Sequence, residues 1–221
     1  INIVAINDLT DNKTLSHLLK YDSTYGSYDK DVSFDEENIV VDGKKIRVYE
    51  EKDPSKLPWG ELEVDVVLEC TGRFREKKDA EMHLSAGAKK VIISAPGKGG
   101  VPMYVRGVNC GKVGEEESKV IDNASCTTNC IAPVIAVMES KFGIEKAMMS
   151  TIHGYTADQN LQDGPHKDLR RARAAAVNII PTSTGAAKAV ANVILVMDGI
   201  FDGFAIRVPV PTCSLSDITM V

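Results

Sequence analysis

Apolar and polar positions along the chain switch repeatedly between a two-residue and a 3.6-residue period. Ile1-Asn2-Ile3-Val4-Ala5-Ile6 is a short β-rich run. Thr10 to Leu19 follows with Leu15, Leu18 and Leu19 on one helical face and Thr10 or Asp11 as N-cap. Ile39 to Val48 reads as a hairpin turning on Asp42-Gly43. Val64 to Cys70 predicts a strand and Lys77 to Ala86 a helix ending at Gly87. Val91 to Ser94 predicts a strand stopped by Pro96-Gly97. Lys119 to Asp122 leads into a helix from Thr127 to Lys141, closed by Gly143. Short buried strands separated by helices predict parallel βαβ units with right-handed crossovers. The fold class is α/β, a Rossmann-like doubly wound sheet.

After Ala147 the pattern changes. Met148 to Thr151 predicts a strand, Gly154 to Lys167 a long loop and Arg170 to Val177 a helical turn. Thr184 to Val196 then predicts a helix and Ala205 to Val210 a strand. Two domains are expected: residues 1–125, and part of an α+β domain over 126–221. Residue 1 is Ile, and both ends lie inside apolar patterns, so a chain truncated at both ends is expected.

Composition narrows the function classes. The 221 residues carry 26 Lys+Arg against 31 Asp+Glu, a formal charge of −5, which argues against a general binder of nucleic acid or anionic membranes. The longest apolar run, Cys130 to Met138, is too short to span a bilayer. Five cysteines, an odd number, read as reduced cytoplasmic thiols rather than a disulfide framework.

Ligands of doubly wound sheets bind beyond the carboxyl ends of the strands, which directs attention to Asp8, Thr71-Gly72 and Ser94. Asp8 reads either as a turn or capping residue or as an acceptor for ribose hydroxyls of NAD. Cys126 falls between a strand and a helix, where unpaired N–H groups and the helix dipole favour a thiolate; the alternative is a buried structural Cys, the fate expected for Cys130. His153 ends the next strand, and a crossover returning beside its starting strand would bring it to Cys126 as proton acceptor. His17, His83 and His166 are expected to be structural or surface residues. Ser125, Thr127, Thr156, Arg171, Thr184, Gly185 and Arg207 supply hydroxyls, amides and guanidinium groups suited to a phosphorylated substrate. No second Cys/His pair has metal-ligand spacing, so no metal is expected.

Five motifs, in order and spacing, closely resemble the phosphorylating glyceraldehyde-3-phosphate dehydrogenases: Ser125-Cys126-Thr127-Thr128-Asn129-Cys130, His153-Gly154-Tyr155-Thr156, Asp168-Leu169-Arg170-Arg171-Ala172-Arg173, Thr184-Gly185-Ala186-Ala187-Lys188-Ala189 and Arg207-Val208-Pro209. Asn7-Asp8-Leu9 and Leu68 to Phe74 fit the same family. The resemblance implies Cys126 as nucleophile and His153 as base, acting on glyceraldehyde 3-phosphate with NAD and inorganic phosphate. It implies Ser125, Thr127, Thr184 and Gly185 around the attacking phosphate, with Thr156, Arg171 and Arg207 on the substrate phosphate or second anion. Asp8, Lys52, Thr71 and Ser94 would line the NAD site, and Pro165 with Asp8 favours NAD because a carboxylate repels a 2′-phosphate. A Gly-rich phosphate loop and a nicotinamide-orienting Asn would lie outside this sequence. The family also implies a cytoplasmic homotetramer whose 154–173 loop packs between subunits. Competing readings are an erythrose-4-phosphate dehydrogenase, a cysteine hydrolase using Cys126 and His153, and a non-catalytic binding role.

Overall fold

A computed structural model describes residues 1–112 and 118–221. The chain divides into two compact units, residues 1–69 with 78–92, and residues 70–77 with 93–221.

In the first unit, β1 (Ala5–Asn7) is followed by α1 (Asn12–Lys20), whose N-cap Asp11 accepts the Thr14 N–H. After a two-residue ladder, β2 (Tyr21–Asp22) with β3 (Gly26–Ser27), come β4 (Val32–Phe34), β5 (Asn38–Val41) and β6 (Lys44–Tyr49). Asp42 and Gly43 both hold positive φ, 48° and 77°, so β5 and β6 are joined by the mirror-image turn that matches strand twist. The sheet runs β1-β6-β5-β4; only β1–β6 is parallel, so this part is mixed rather than wholly parallel. The first strand is also shorter than the apolar run 1–6 suggested. β7 (Val66–Glu69) and β8 (Lys90–Ile93) are neighbours, with α2 (Lys77–Ser85) between them in sequence.

A buried polar chain lies in this unit. Trp59 Nε1 donates to His83 Nδ1 at 3.1 Å, which leaves the ring proton on Nε2, 3.1 Å from Glu69 Oε2. All three side chains are buried, so each polar atom needs the partner it has. His83 is thus structural, as expected.

The second unit contains β9 (Val120–Asp122), α3 (Cys126–Phe142), β10 (Ala147–Gly154), β11 (Ile180–Ser183), α4 (Ala186–Val193), β12 (Phe201–Val208) and β13 (Ser214–Met220). Its four-stranded sheet runs β11-β12-β10-β13, with β10 parallel to β12 and antiparallel to β13. Thr128, Ile131, Ala132 and Ile135 make the buried stripe of α3 at helical spacing. Ile131, Ala132 and Ile135 share a core with Met149 of β10 and Ala187 and Val190 of α4. Each fully buried Ile there contributes about 1.5–3 kcal/mol.

Three expectations change. β10 does not return beside β9; it sits between β12 and β13, and α3 meets it through the shared core. The helix expected over 184–196 ends at Val193 and continues as one tight turn, Leu195–Met197. β11, unforeseen, carries Pro181, which the ladder tolerates because β11 is the sheet's edge.

Candidate active site

Cys126 opens α3. Ser125, the N-cap, accepts the Thr128 N–H at 3.1 Å, and its Oγ lies 2.7 Å from Thr128 Oγ1. Asn129 reaches back with Nδ2 to the Asn123 and Ser125 carbonyls, closing the turn before the helix. Cys126 Sγ then stands 3.5 Å from His153 Nε2 and 4.0 Å from Thr127 Oγ1.

His153 comes from the end of β10, opposite Arg207 on β12 and Ser214 on β13. Its Nδ1 is 2.6 Å from the Gly154 carbonyl oxygen, which fixes the ring and leaves Nε2 to face the thiol. Gly154 is needed here: a Cβ would lie 2.7 Å from the Cys213 carbonyl oxygen and 2.9 Å from that of Val210. The His153 hydrogen bond, against the opposing effect of burial, brings the Cys126 thiol down to about 7. The same contact raises His153, while burial and the nearby Arg207 charge oppose it. The pair therefore favours thiolate and imidazolium near neutrality.

Cys126 and His153 line a cleft of about 600 Å³. Its walls carry Arg75, Lys167, Arg171, Lys188 and Arg207 against Asp168, so positive charge predominates. Arg207 donates from one terminal nitrogen to the Gly154 carbonyl at 3.2 Å and to Thr156 Oγ1 at 3.3 Å, while its buried Nε has no partner among the described residues. Burial lowers its pKa. Arg171 is held on three sides: by Asp158 at 2.7 Å, Thr182 Oγ1 at 2.9 Å and the Ser183 carbonyl at 2.9 Å. Thr184 and Gly185 precede α4, whose N-terminus also faces the cleft; Thr184 Oγ1 accepts the Ala186 N–H, and Gly185 brings no capping side chain.

Ser125, Cys126, Thr127, His153, Arg171, Thr184, Gly185 and Arg207 thus line one cavity, and Thr156 joins through Arg207. Of the proposed NAD residues, Asp8 and Lys52 belong to the first unit, Thr71 and Ser94 to the second, and all four are exposed. Asp8 follows the parallel strand β1, and its Oδ1 accepts the Thr10 N–H. An exposed carboxylate at that strand end suits a ribose diol. Thr71 Oγ1 accepts the Arg73 N–H.

Several placements were not foreseen. Arg75 reaches the cleft with no local pattern to announce it, and Lys188, within the Thr184–Ala189 motif, reaches it with no role assigned to it beforehand. His166 also lines it, 3.4 Å from Asp158 through Nε2, its Nδ1 accepting the Asp168 N–H. Cys130 is exposed rather than buried: it faces a second hollow of about 380 Å³ that also borders Cys126. All five cysteines are free. Among the described residues, no group of three His, Cys, Asp or Glu is arranged to hold a metal, and no helix is long and apolar enough to cross a membrane.

Comparison with known proteins agrees with this geometry. Residues 1–77 match the family model for the NAD-binding domain of glyceraldehyde 3-phosphate dehydrogenase, and residues 125–221 match the model for its C-terminal domain. Proteins named glyceraldehyde-3-phosphate dehydrogenase from Geobacillus stearothermophilus and Streptomyces coelicolor are each 56% identical to it, over 99% and 100% of this chain and 65% and 66% of their own length. One from Mycolicibacterium smegmatis is 57% identical over 99% of the chain and 65% of its own length. The chain spans about two thirds of the length of these curated relatives. Matched in both halves, with the thiol, the imidazole and the cationic cleft in one place, the chain belongs to the glyceraldehyde-3-phosphate dehydrogenase family.

Proposed function

We propose that the protein carrying this chain oxidises D-glyceraldehyde 3-phosphate to 1,3-bisphosphoglycerate with NAD and inorganic phosphate; its relatives are named as dehydrogenases of glyceraldehyde 3-phosphate. The observation that carries the reading is the Cys126–His153 pair at a helix N-terminus, inside a cationic cleft.

The Cys126 thiolate attacks the aldehyde carbon, and the oxygen of the resulting thiohemiacetal takes a proton from His153 Nε2–H. His153 then removes that proton as the carbon gives up its hydride, leaving a thioester on Cys126. NAD, when bound, supplies the hydride acceptor. A phosphate oxygen attacks the thioester carbon, the C–S bond breaks, and the thiolate returns with the acyl phosphate as product. The thioester keeps the acyl group activated, which hydrolysis would waste.

Ser125, Thr127, Thr184 and Gly185 bind the attacking phosphate. Ser125 Oγ already accepts the Thr128 N–H, and its own O–H can turn to a phosphate when Thr128 Oγ1 donates across their 2.7 Å contact. Thr156, Arg171 and Arg207 hold the substrate phosphate or the second anion. Arg207 and Arg171 are half-buried, so their charges are less screened by water than fully exposed ones, which strengthens their pull on an anion. Asp8, Lys52, Thr71 and Ser94 contact NAD. The cofactor-binding half ends at residue 125 and the catalytic half begins at 126. Loop 154–173 exposes Leu161 and Leu169, apolar surface that packing between subunits of a homotetramer would cover. Five free thiols fit a cytoplasmic setting.

Absorbance at 340 nm, with the full-length protein, glyceraldehyde 3-phosphate and NAD, tests the reaction. Sustained NADH formation only when phosphate is present is the expected result. Phosphate-independent NADH formation would favour the erythrose 4-phosphate enzyme, and aldehyde or ester turnover without NAD a hydrolase.

A further inference from the structure

Asp122 ends β9 as the charged member of an otherwise apolar, wholly buried strand, and the chemistry above gives it no task. Its Oδ1 accepts the Ala124 N–H at 2.7 Å and its Oδ2 the Gly97 N–H at 3.0 Å. Ala124 is held at φ 58°, a left-handed conformation disfavoured for any residue with a Cβ. It is followed directly by the Ser125 cap and by Cys126. Gly97, like Ser125 and Cys126, lines the cleft, and it has no room for a side chain: a Cβ would lie 2.8 Å from Val101 Cβ and 3.1 Å from Asp122 Oδ2.

We propose that Asp122 is a positioning residue for the Cys126 nucleophile: its two oxygens clamp the left-handed turn at Ala124 to the Pro96–Gly97 wall and so set where α3 begins. The inference rests on the reading of Cys126 as nucleophile. Both amide donors are short of alternatives, because the turn's other groups are already committed. The Asp122 carbonyl accepts from Tyr104, the Asn123 N–H donates to Ile93, and the Asn123 carbonyl accepts from Asn129. Without the carboxylate, Ala124 relaxes toward an ordinary backbone angle, the Ser125 cap shifts, and the thiol moves away from His153. Burial raises the Asp122 carboxyl, and its two N–H partners offset that only in part.

The test compares wild type with Asp122→Ala, Asp122→Asn and the double variant Asp122→Ala/Ala124→Gly in the full-length protein. Two readouts follow the thiolate itself: the 240 nm thiolate titration and the rate of alkylation of Cys126 by iodoacetamide. The expected result for Asp122→Ala is a rise of about one unit in the Cys126 titration, hence roughly fivefold slower alkylation at neutral pH. The dehydrogenase kcat should fall in parallel, with little change in KM. Asp122→Asn, keeping a carbonyl for Ala124 but losing the acceptor for Gly97, should fall between. Glycine at 124 accepts the left-handed angle without help, so the double variant should recover much of the thiolate. A folded Asp122→Ala, or Asp122→Asn where the alanine variant fails to fold, that titrates and alkylates as wild type does overturns the proposal. So does a lowered melting temperature alone, with no shift in the thiolate. These readouts need no turnover, so they decide the role of Asp122 even if the phosphate-dependent NADH assay fails and removes the dehydrogenase reading.

Discussion

Two helix N-termini open on the same cleft and are finished in opposite ways. At α3 the side chain of Ser125 takes the Thr128 amide, and Asn129 ties the preceding carbonyls. At α4 the N-cap Gly185 has no side chain to offer, and only the first amide, that of Ala186, is taken, by the Thr184 hydroxyl just before it. The first arrangement spends the helix end on holding one sulfur atom still; the second leaves amides beside the cleft for a ligand. Unsatisfied helix donors are thus a structural fault at one position and a binding surface at another, and the residue at the cap decides which.

The comparison breaks most severely at the nucleophile. Cys126→Ala should abolish phosphate-dependent NADH formation while leaving the protein folded, as circular dichroism would check. His153→Asn should slow turnover by roughly 10²–10⁴-fold. It should also send the Cys126 titration upward from about 7, since the His153 contact is the main cause of the lowering. In wild type the thiolate is present above about pH 7 and is lost as pH falls through that value, so alkylation should accelerate as pH rises through neutrality. A pH-independent alkylation rate between pH 6 and 8 would contradict a Cys126 thiol that titrates near 7.

Gly185→Asp probes the other helix by adding a carboxylate at its N-cap. Nothing lies within 4 Å of a Cβ at this position, so the side chain fits. A carboxylate a few ångströms from a bound anion should raise the KM for phosphate roughly tenfold, or about 1.4 kcal/mol. Thermal stability should change little. Unchanged phosphate kinetics would mean that α4 holds no anion. Ser125→Ala removes a cap worth ~1 kcal/mol, which should lower Tm by about 2–4 °C, and a phosphate contact, so a several-fold rise in the KM for phosphate is expected as well.

Much of this was legible in the sequence, for identifiable reasons. The stripe of α3 and the Gly143 stop are local patterns, strong enough to carry the helix through Pro133 despite that residue's missing N–H. The Asp42-Gly43 hairpin needed only two neighbours. Cys126 and His153 lie 3.5 Å apart, but not through the expected crossover: which strands become neighbours depends on distant residues, and β10 pairs with β12 and β13. The places of Arg75, Lys188 and Asp122 at the site were not anticipated, because each matters through a fold-dependent neighbour. Cys130 was misjudged because helical spacing from Cys126 says nothing about which side the core lies on.

The buried chain of Trp59, His83 and Glu69 has a practical consequence. Trp59 is the one tryptophan of these 221 residues, so the indole fluorescence of this chain originates in the first unit. The reactive thiol, with its own absorbance, originates in the second. One spectrometer can therefore follow the two halves separately as they unfold, with no label attached to either.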